Sequence, residues 1–509
     1  MKLLPYYPEH MDYLILKNNQ PVPLESIPVL PYDQFLILNT GLVIGLPERH
    51  CVNYFGFQSG KQIRLISCIA DDLSRSVYVS SSLVSRDLPL QSFTRQVLAF
   101  ERFEREIHEN FGILYADHPW LKPVRYSHNR ADLTRTIANY PFYSIESDEL
   151  HEVGVGPIHA GVIEPGHFRF ICNGEQILHL EIQLGFQHRG VEPLFLQKHG
   201  LLQRCTLAEQ IAGDTVAGHT VAFSQLWESL SGFEAAQPVM PGRTIALELE
   251  RMAIHTGDLA ALCTDVAYQL GSAVFGRLRT PLVNFFQEWA GNRLAKGLIR
   301  PFSDRFPFTE KLALRLHEIL DSYEPDFEEM CSMLFRLPSA LSRFERTGVV
   351  SADDLLAIGA VGMSARMGGV ERDIRKSHPS LLYETLGHQP VIKHHGDVFS
   401  RVQIRRDEIR QSMHYLRKLT RQLPEPGTTE PTGGTLQPGL FGLSLIEGWR
   451  GEICHCAITG DKGELVHYKI KDPSFHNWMA LSLAVRNNEI SDFPICNKSF
   501  NLSYCGHDL

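Results

Sequence analysis

A polar, irregular stretch between Ser127 and His151 constrains this chain most, because the residues before it alternate as strands do while those after it repeat largely as helices do. Asn129, Asp132, Asn139, Pro141 and Ser147 interrupt both periodicities there, and we place a boundary with 1–130 before it, a linker at 131–150 and 151–509 after it. The length of 509 residues agrees, since a single core rarely serves more than about 250–300 residues.

Before the boundary, Gln62–Ile66 and Ser76–Val84 alternate in the manner of half-buried strands, and Phe93–Phe111 carries apolar residues at helical spacing, so this part reads as a small α+β domain. After it, His167–Cys172 and Gln176–Ile182 flank Asn173-Gly174, a dipeptide that favours a tight hairpin turn. Ile245, Leu247, Leu249, Met252, Leu259, Leu262 and Val266 then follow a helical face, and Glu310–Phe335 and Ile404–Leu423 read likewise. The stretch 421–439, rich in Pro, Gly and Thr, reads as a long mobile loop, and strand-like alternation returns around Gly451–Ala457. The fold class is α+β: a small α+β domain, then a mainly helical domain with a β-hairpin region.

Composition excludes several function classes. A formal charge of -9 from 49 basic and 58 acidic residues gives no electrostatic footprint for nucleic acid. No apolar run reaches the roughly 18 residues of a membrane-spanning helix, and Pro5, Pro8, Glu9 and Asp12 interrupt what would be a secretory leader. Ten scattered cysteines without a Cys-x-x-Cys pair read as free thiols in a reducing compartment, not as a zinc or iron–sulfur framework. There is no phosphate-binding glycine fingerprint, so a nucleotide pocket within the chain is not expected.

Several residues could carry chemistry. His188, Arg189 and Glu192 stand within five positions, enough for a proton relay in which Glu192 shuttles protons and its neighbours tune it, or for a solvated charged turn. His159 lies in a glycine-flanked loop, where it is either a hydrogen-bond donor to a ligand or part of an ordinary polar loop. Cys454-His455-Cys456, on a strand, puts both thiols on one face and the imidazole on the other, which favours buried structural cysteines over a chelate.

Taken together, Gly156–Gly161 with Glu164–Phe170, His188–Glu192, Glu248-Leu-Glu-Arg251 with His255 and Asp258, Arg366–Asp373, Gly396-Asp397 and Asp472–Trp478 resemble a known family. It is that of the large subunit of energy-converting nickel–iron hydrogenases, especially formate hydrogenlyase, and of its homologue, the quinone-site large subunit of respiratory complex I. The resemblance covers about Gly154 to the end. Glu104–Ile113 followed by His118-Pro119 is similar to the small accessory subunit of complex I, which is fused to the large subunit in formate hydrogenlyase and stands beside it in complex I.

In the hydrogenases of this family four thiolates hold nickel. The corresponding positions here are Ala212, Thr215, Ser474 and Asn477, which offer a methyl group and hard neutral oxygens in place of soft sulfur. The resemblance therefore implies a scaffold without a nickel–iron centre. It further implies a cavity for quinone headgroup chemistry, lined by His159 and His219, although the loop lacks the second histidine of the complex I pattern and the complex I tyrosine falls near Gly213. Glu192, with Arg189 and His188, is the implied proton-transfer group. The implied partners are a small iron–sulfur subunit, which would hold the cluster, a ferredoxin-like subunit and antiporter-like membrane subunits. Attachment would be peripheral, on the cytoplasmic side of the membrane, with any NAD(P)H chemistry in another subunit. A redox-inactive structural subunit that couples such partners is the alternative.

Overall fold

The computed structural model describes residues 12–161, 163–233, 239–421 and 435–509. The first residues of the chain and most of the Pro-, Gly- and Thr-rich stretch 421–439 therefore lie outside the described residues. The fold is α+β.

The first unit is built on the sheet β1 (Leu14–Leu16), β6 (Ser76–Val84), β5 (Gln62–Asp71) and β4 (Arg49–Ser59), with β3 (Val29–Leu30) also on β6. Two helices, α1 (Tyr32–Val43) and α2 (Glu101–Phe111), and the short pair β7 (Leu90–Gln91) and β8 (Tyr115–Ala116) accompany it. The helix expected over Phe93–Phe111 begins only at Glu101, after a 3-10 turn at Leu98–Phe100. Phe93 and Thr94 instead donate backbone N–H groups to the Glu104 carboxylate, which fixes them as a turn.

Alternation sorts this sheet into two faces. Ile63, Leu65 and Ile69 of β5 join Phe35, Phe93, Phe100 and Phe103 in a core under the helices. Ile66, Cys68 and Ala70 join Phe441, Leu443, Leu445, Cys454 and Cys456 on the other side. In β4 the parity changes between Cys51 and Tyr54, because a bulge between Cys51 and Asn53 inserts one residue.

The second face belongs to the sheet β16 (Leu465–Lys471), β15 (Glu452–Thr459), β14 (Leu440–Glu447) and β2 (Val22–Pro23). Its edge strand β2 comes from the beginning of the chain. Asn18 reinforces the join: its amide donates to the carbonyl of Leu445 at 2.9 Å and accepts from the Leu445 N–H at 2.8 Å. The two units thus share a core between sheets, and the segment 131–150 lies along the hairpin, with Tyr143 N–H donating to Glu181 at 2.7 Å.

That hairpin pairs β10 (His167–Asn173) with β11 (Gln176–Gln183), and β9 (His151–Val155) adds to β10. Asn173 opposes Gln176, so the connecting residues are Gly174 and Glu175 in place of Asn173-Gly174, and Gly174 alone of these has positive φ, at 56°. Helices α3 (Val191–Gln197), α4 (Leu201–Ala208), α5 (Val216–Leu230), α6 (Val239–Asp265) and α7 (Gln269–Ala290) follow. After the pair β12 (Ile299–Arg300) and β13 (Ser303–Asp304) comes α8 (Glu310–Leu334). Short helices α9 (Pro338–Phe344), α10 (Ala352–Ala357), α11 (Met363–Arg366), α12 (Ile374–Ser377) and α13 (Tyr383–Leu386) lead to α14 (Val398–Leu419). The chain finishes with α15 (Ser474–Ala484), α16 (Phe493–Phe500) and α17 (Tyr504–Asp508). Helix α14 begins earlier than its apolar pattern suggests, because Asp397 caps it by accepting the Ser400 N–H at 2.8 Å.

Helix α6 is central and buried almost all round. Besides its apolar face it carries Glu248, Arg251, His255 and Asp258 at intervals of three and four, a polar stripe within the core. The stripe meets α14 and the segment 366–375. Glu408 accepts from Arg366 at 2.8 Å, Arg375 at 2.6 Å and His255 at 2.7 Å. Asp373 takes Arg375 at 2.7 Å and His388 at 3.0 Å, and Arg366 also reaches Glu447 at 2.7 Å. Burial alone would push the Glu408 carboxyl up, yet Arg366, Arg251 and Arg375 hold it well below the usual range. Replacing Glu408 by Gln removes the carboxylate shared by Arg366, Arg375 and His255 and leaves fewer buried anions than cations there. The expected loss is about 3–5 kcal/mol, read as a lowered unfolding midpoint, and an unchanged midpoint contradicts the assignment.

Candidate functional site

The two segments that resemble the metal-binding motifs of hydrogenases, Ala212–Thr215 and Asp472–Asn477, are brought together by His219. One turn into α5, its fully buried ring sits between Asp472, with Nε2 3.1 Å from Oδ2, and His455, with Nδ1 3.1 Å from Nε2. Tyr468 closes the row through its hydroxyl, 2.8 Å from His455 Nδ1. Asp472 also accepts the Ser474 N–H at 2.8 Å, which fixes the start of α15. Burial works against its charge, but the bond to His219 and the Arg450 charge keep its carboxyl below the ordinary range. Burial, with His219 adding to it, drives His455 well below the ordinary imidazole value, so His455 stays neutral.

The remaining space is filled by the loop between β14 and β15, residues Gly448-Trp449-Arg450-Gly451. Gly448 and Gly451 exchange both backbone hydrogen bonds, at 2.9 and 3.1 Å, and close it tightly. A Cβ on Gly362 would lie 2.1 Å from the Gly451 Cα, so only glycine allows the segment at Val361-Gly362 to press against this loop. Arg450 stacks on Trp449 and grips Asp214 with two bonds, of 2.7 and 2.6 Å. The same guanidinium donates to Thr215 Oγ1 at 3.1 Å and to the Asn501 carbonyl at 2.5 Å.

The four positions that the resemblance sets against nickel ligands are engaged in internal contacts or offer no donor. Ala212 is buried and presents a methyl group. Thr215 accepts from Arg450, and Ser474 Oγ accepts the Ser503 N–H at 2.9 Å. Asn477 uses both amide atoms on Val361, accepting its N–H and donating to its carbonyl, each at 3.1 Å.

The other expected site residues fall elsewhere. His159 is half-buried, with Nε2 2.8 Å from the Gly166 carbonyl and its ring against Phe168. Among the described residues it shares no hydrogen-bond partner with His219, so these two are not brought to one group. Glu192 accepts the Ile470 N–H at 2.9 Å and Lys469 at 3.1 Å. Lys469 continues to Glu106 of α2 at 2.5 Å, and Glu106 to Arg125, so a charged row runs from Glu192 into the first unit. Burial would raise the Glu192 carboxyl, but Lys469 and Arg125 hold it below the ordinary range.

Among the described residues Arg189 and His188 make no hydrogen bond to Glu192, although the Glu192 charge acts on the His188 imidazole. The Arg189 guanidinium spends its bonds on the carbonyls of Gln210, Ile211 and Cys505, at 2.5, 2.9 and 3.0 Å, and thereby fixes the backbone leading to Ala212. His188 Nδ1 lies 2.8 Å from the Asp508 carbonyl. Sequence reasoning missed Arg450, Asp214 and His455 as members of the site. The Gly-Trp-Arg-Gly run, with glycine at both ends of a four-residue loop, was the available signal for Arg450; nothing local marks Asp214 as its partner.

Comparison with known proteins agrees with this organisation. The sequence model of the respiratory-chain NADH dehydrogenase 49 kDa subunit matches residues 269–438. Hydrogenase-4 component G of Escherichia coli (strain K12) is 27% identical over 438 residues, 82% of this chain and 75% of that protein. Formate hydrogenlyase subunit 5 of the same strain is 26% identical over 431 residues, 81% of this chain and 76% of that protein. The C/D fusion subunit of the NADH-quinone oxidoreductase of Phocaeicola vulgatus is 25% identical over 453 residues, 82% of this chain and 86% of that protein. The chain is thus a homologue of these hydrogenase, formate hydrogenlyase and NADH-quinone oxidoreductase subunits.

Proposed function

We propose that the chain is a nickel-free large subunit of a membrane-associated oxidoreductase complex, receiving electrons from a partner iron–sulfur subunit and coupling redox chemistry to proton movement. The donor set at Ala212, Thr215, Ser474 and Asn477 carries this reading. It contains no thiolate, and its oxygens are engaged by Arg450, Ser503 and Val361. A nickel–iron centre does not fit such a set. Relatives named as hydrogenase, formate hydrogenlyase and NADH-quinone oxidoreductase subunits support the setting, and the partners we propose are an iron–sulfur small subunit, a ferredoxin-like subunit and antiporter-like membrane subunits. No helix among the described residues is long and apolar enough to cross a membrane, so attachment is proposed through such partners on the cytoplasmic side.

No quinone step is assigned. The resemblance places the complex I tyrosine near Gly213, which offers no side-chain donor, and His159 Nε2 lies 2.8 Å from the Gly166 carbonyl, so no pair of headgroup donors supports such a step. A second reading, a redox-inactive subunit that transmits coupling between partners, is favoured by the internal satisfaction of the whole site. Glu192 remains the proton-transfer group we propose, with Lys469 in the tuning role.

Four outcomes test this. The purified complex should hold far less than one nickel per chain by elemental analysis; one nickel per chain overturns the reading. Electron transfer from the complex to soluble quinone analogues should fall with Glu192→Gln and be indifferent to His159→Ala, whereas no transfer at all selects the redox-inactive role. Because its folded value is depressed, Glu192 should stay ionised as pH falls through its ordinary range of about 4.3, while its share of stability, full above that range, is lost progressively between it and the lower folded value. Lys469→Met removes the main compensating charge, so a protonated carboxyl band should then appear in infrared difference spectra at higher pH than in the native chain.

A further inference from the structure

A cleft of about 360 Å³ opens beside α7, lined by none of the residues around Glu192 or His219, and its walls carry Arg279, Arg293 and Lys296. Among the described residues none of the three forms an ion pair, unlike the surface arginines Arg277, Arg315 and Arg410, which each meet a carboxylate. Arg279 is held in place: its Nε donates to the Ala253 carbonyl at 3.2 Å, and its stem lies over Gly257 of α6, where a Cβ would come within 3.0 Å of the Arg279 Cδ. The absence of a side chain at 257 thus gives the guanidinium its path across the helix into the cleft. Val283 and Leu294 add apolar wall between the cations.

The cleft continues inward. A narrow extension of about 20 Å³ shares Arg279, Val283, Arg293 and Leu294 with it and ends on Asp214 and Glu250. That volume is enough for one water with polar partners. Asp214 is neutralised by Arg450. Glu250 accepts the N–H groups of Ala217 and Gly218 at the start of α5, at 2.7 and 3.2 Å.

We propose that this cleft is a binding site for a short-chain dicarboxylate, with its charges among Arg279, Arg293 and Lys296 and its carbon chain along Val283 and Leu294. The volume lies within the range of small-molecule sites, and guanidinium groups suit carboxylates through paired hydrogen bonds. Three unpaired cations favour two negative charges over one. The groups at the inner end are Asp214 from the loop before α5, Arg279 from α7 and Arg293 from the loop after it, with Arg450 acting through Asp214 and the buried Arg251 charge acting on Glu250. Burial, with Asp214 adding to it, raises Glu250 to about 8 against the opposing N–H bonds of Ala217 and Gly218. Its carboxyl is therefore neutral at pH 7 and gains a charge that repels an anion as pH rises.

The test is calorimetric titration of the full-length chain with succinate at constant ionic strength, with acetate and chloride as comparisons. Succinate is expected to bind at least tenfold more tightly than acetate. Arg279→Gln with Arg293→Gln, two partly exposed positions, should weaken succinate at least tenfold without moving the unfolding midpoint. Gly257→Val, which keeps every charge and displaces Arg279, should weaken it as well. Affinity should decline from pH 7 to 9 in the native chain and stay level in Glu250→Gln. Succinate binding no tighter than acetate or chloride, or equal in the native chain and the double variant, overturns the proposal.

Discussion

Four segments far apart in sequence are held in one arrangement by the charges buried around Glu408. Helix α6, the stretch 366–375, helix α14 and the end of β14 each contribute one or more ionisable side chains that are almost completely buried. A lone buried ion is costly, so each segment can be buried only where its partner is present. Arg366 illustrates the dependence: it binds Glu408 and Glu447 together, which ties α14 to the strand whose following loop carries Arg450. The position of Arg450, and with it the closure of the candidate site, follows from that connection.

The same strand explains why the two units are inseparable in this fold. Its outer edge is completed by β2, and its inner face packs on the sheet of the first unit, so the first unit supplies both an edge and a wall to the second. Glu106 adds an electrostatic link through Lys469 to Glu192. The residue proposed for proton transfer is therefore governed partly by a side chain from the first unit, and a change in α2 reaches it through one lysine.

Local sequence was informative wherever the chemistry was local. Alternation marked parts of β5 and β6 as strands, although the packing of two sheets buries both of their faces, and the spacing of Cys454, His455 and Cys456 separated the thiols from the imidazole as the strand does. It was less informative where a distant group intervened. Phe93–Val97 has helical spacing, but the Glu104 carboxylate draws its backbone into a turn. Arg189 stands three residues from Glu192 and suggests a tuning pair, yet backbone carbonyls of Gln210 and Ile211 take its guanidinium. The hairpin turn moved by one residue because register, not dipeptide preference, sets which pair closes it.

By itself the sequence determined the fold class, the resemblance and the residue types at the four positions that the resemblance sets against nickel ligands, because these depend on periodicity and side-chain identity alone. Only the tertiary structure decided what those positions do. Thr215 and Asn477 gain their partners from residues 235 and 116 positions away, and Ser474 gains its own from a separate terminal segment, through contacts that no local pattern encodes. The physical reason is that a buried polar group must find a partner wherever the fold brings one, and the identity of that partner is fixed only when strands and helices from both units have packed.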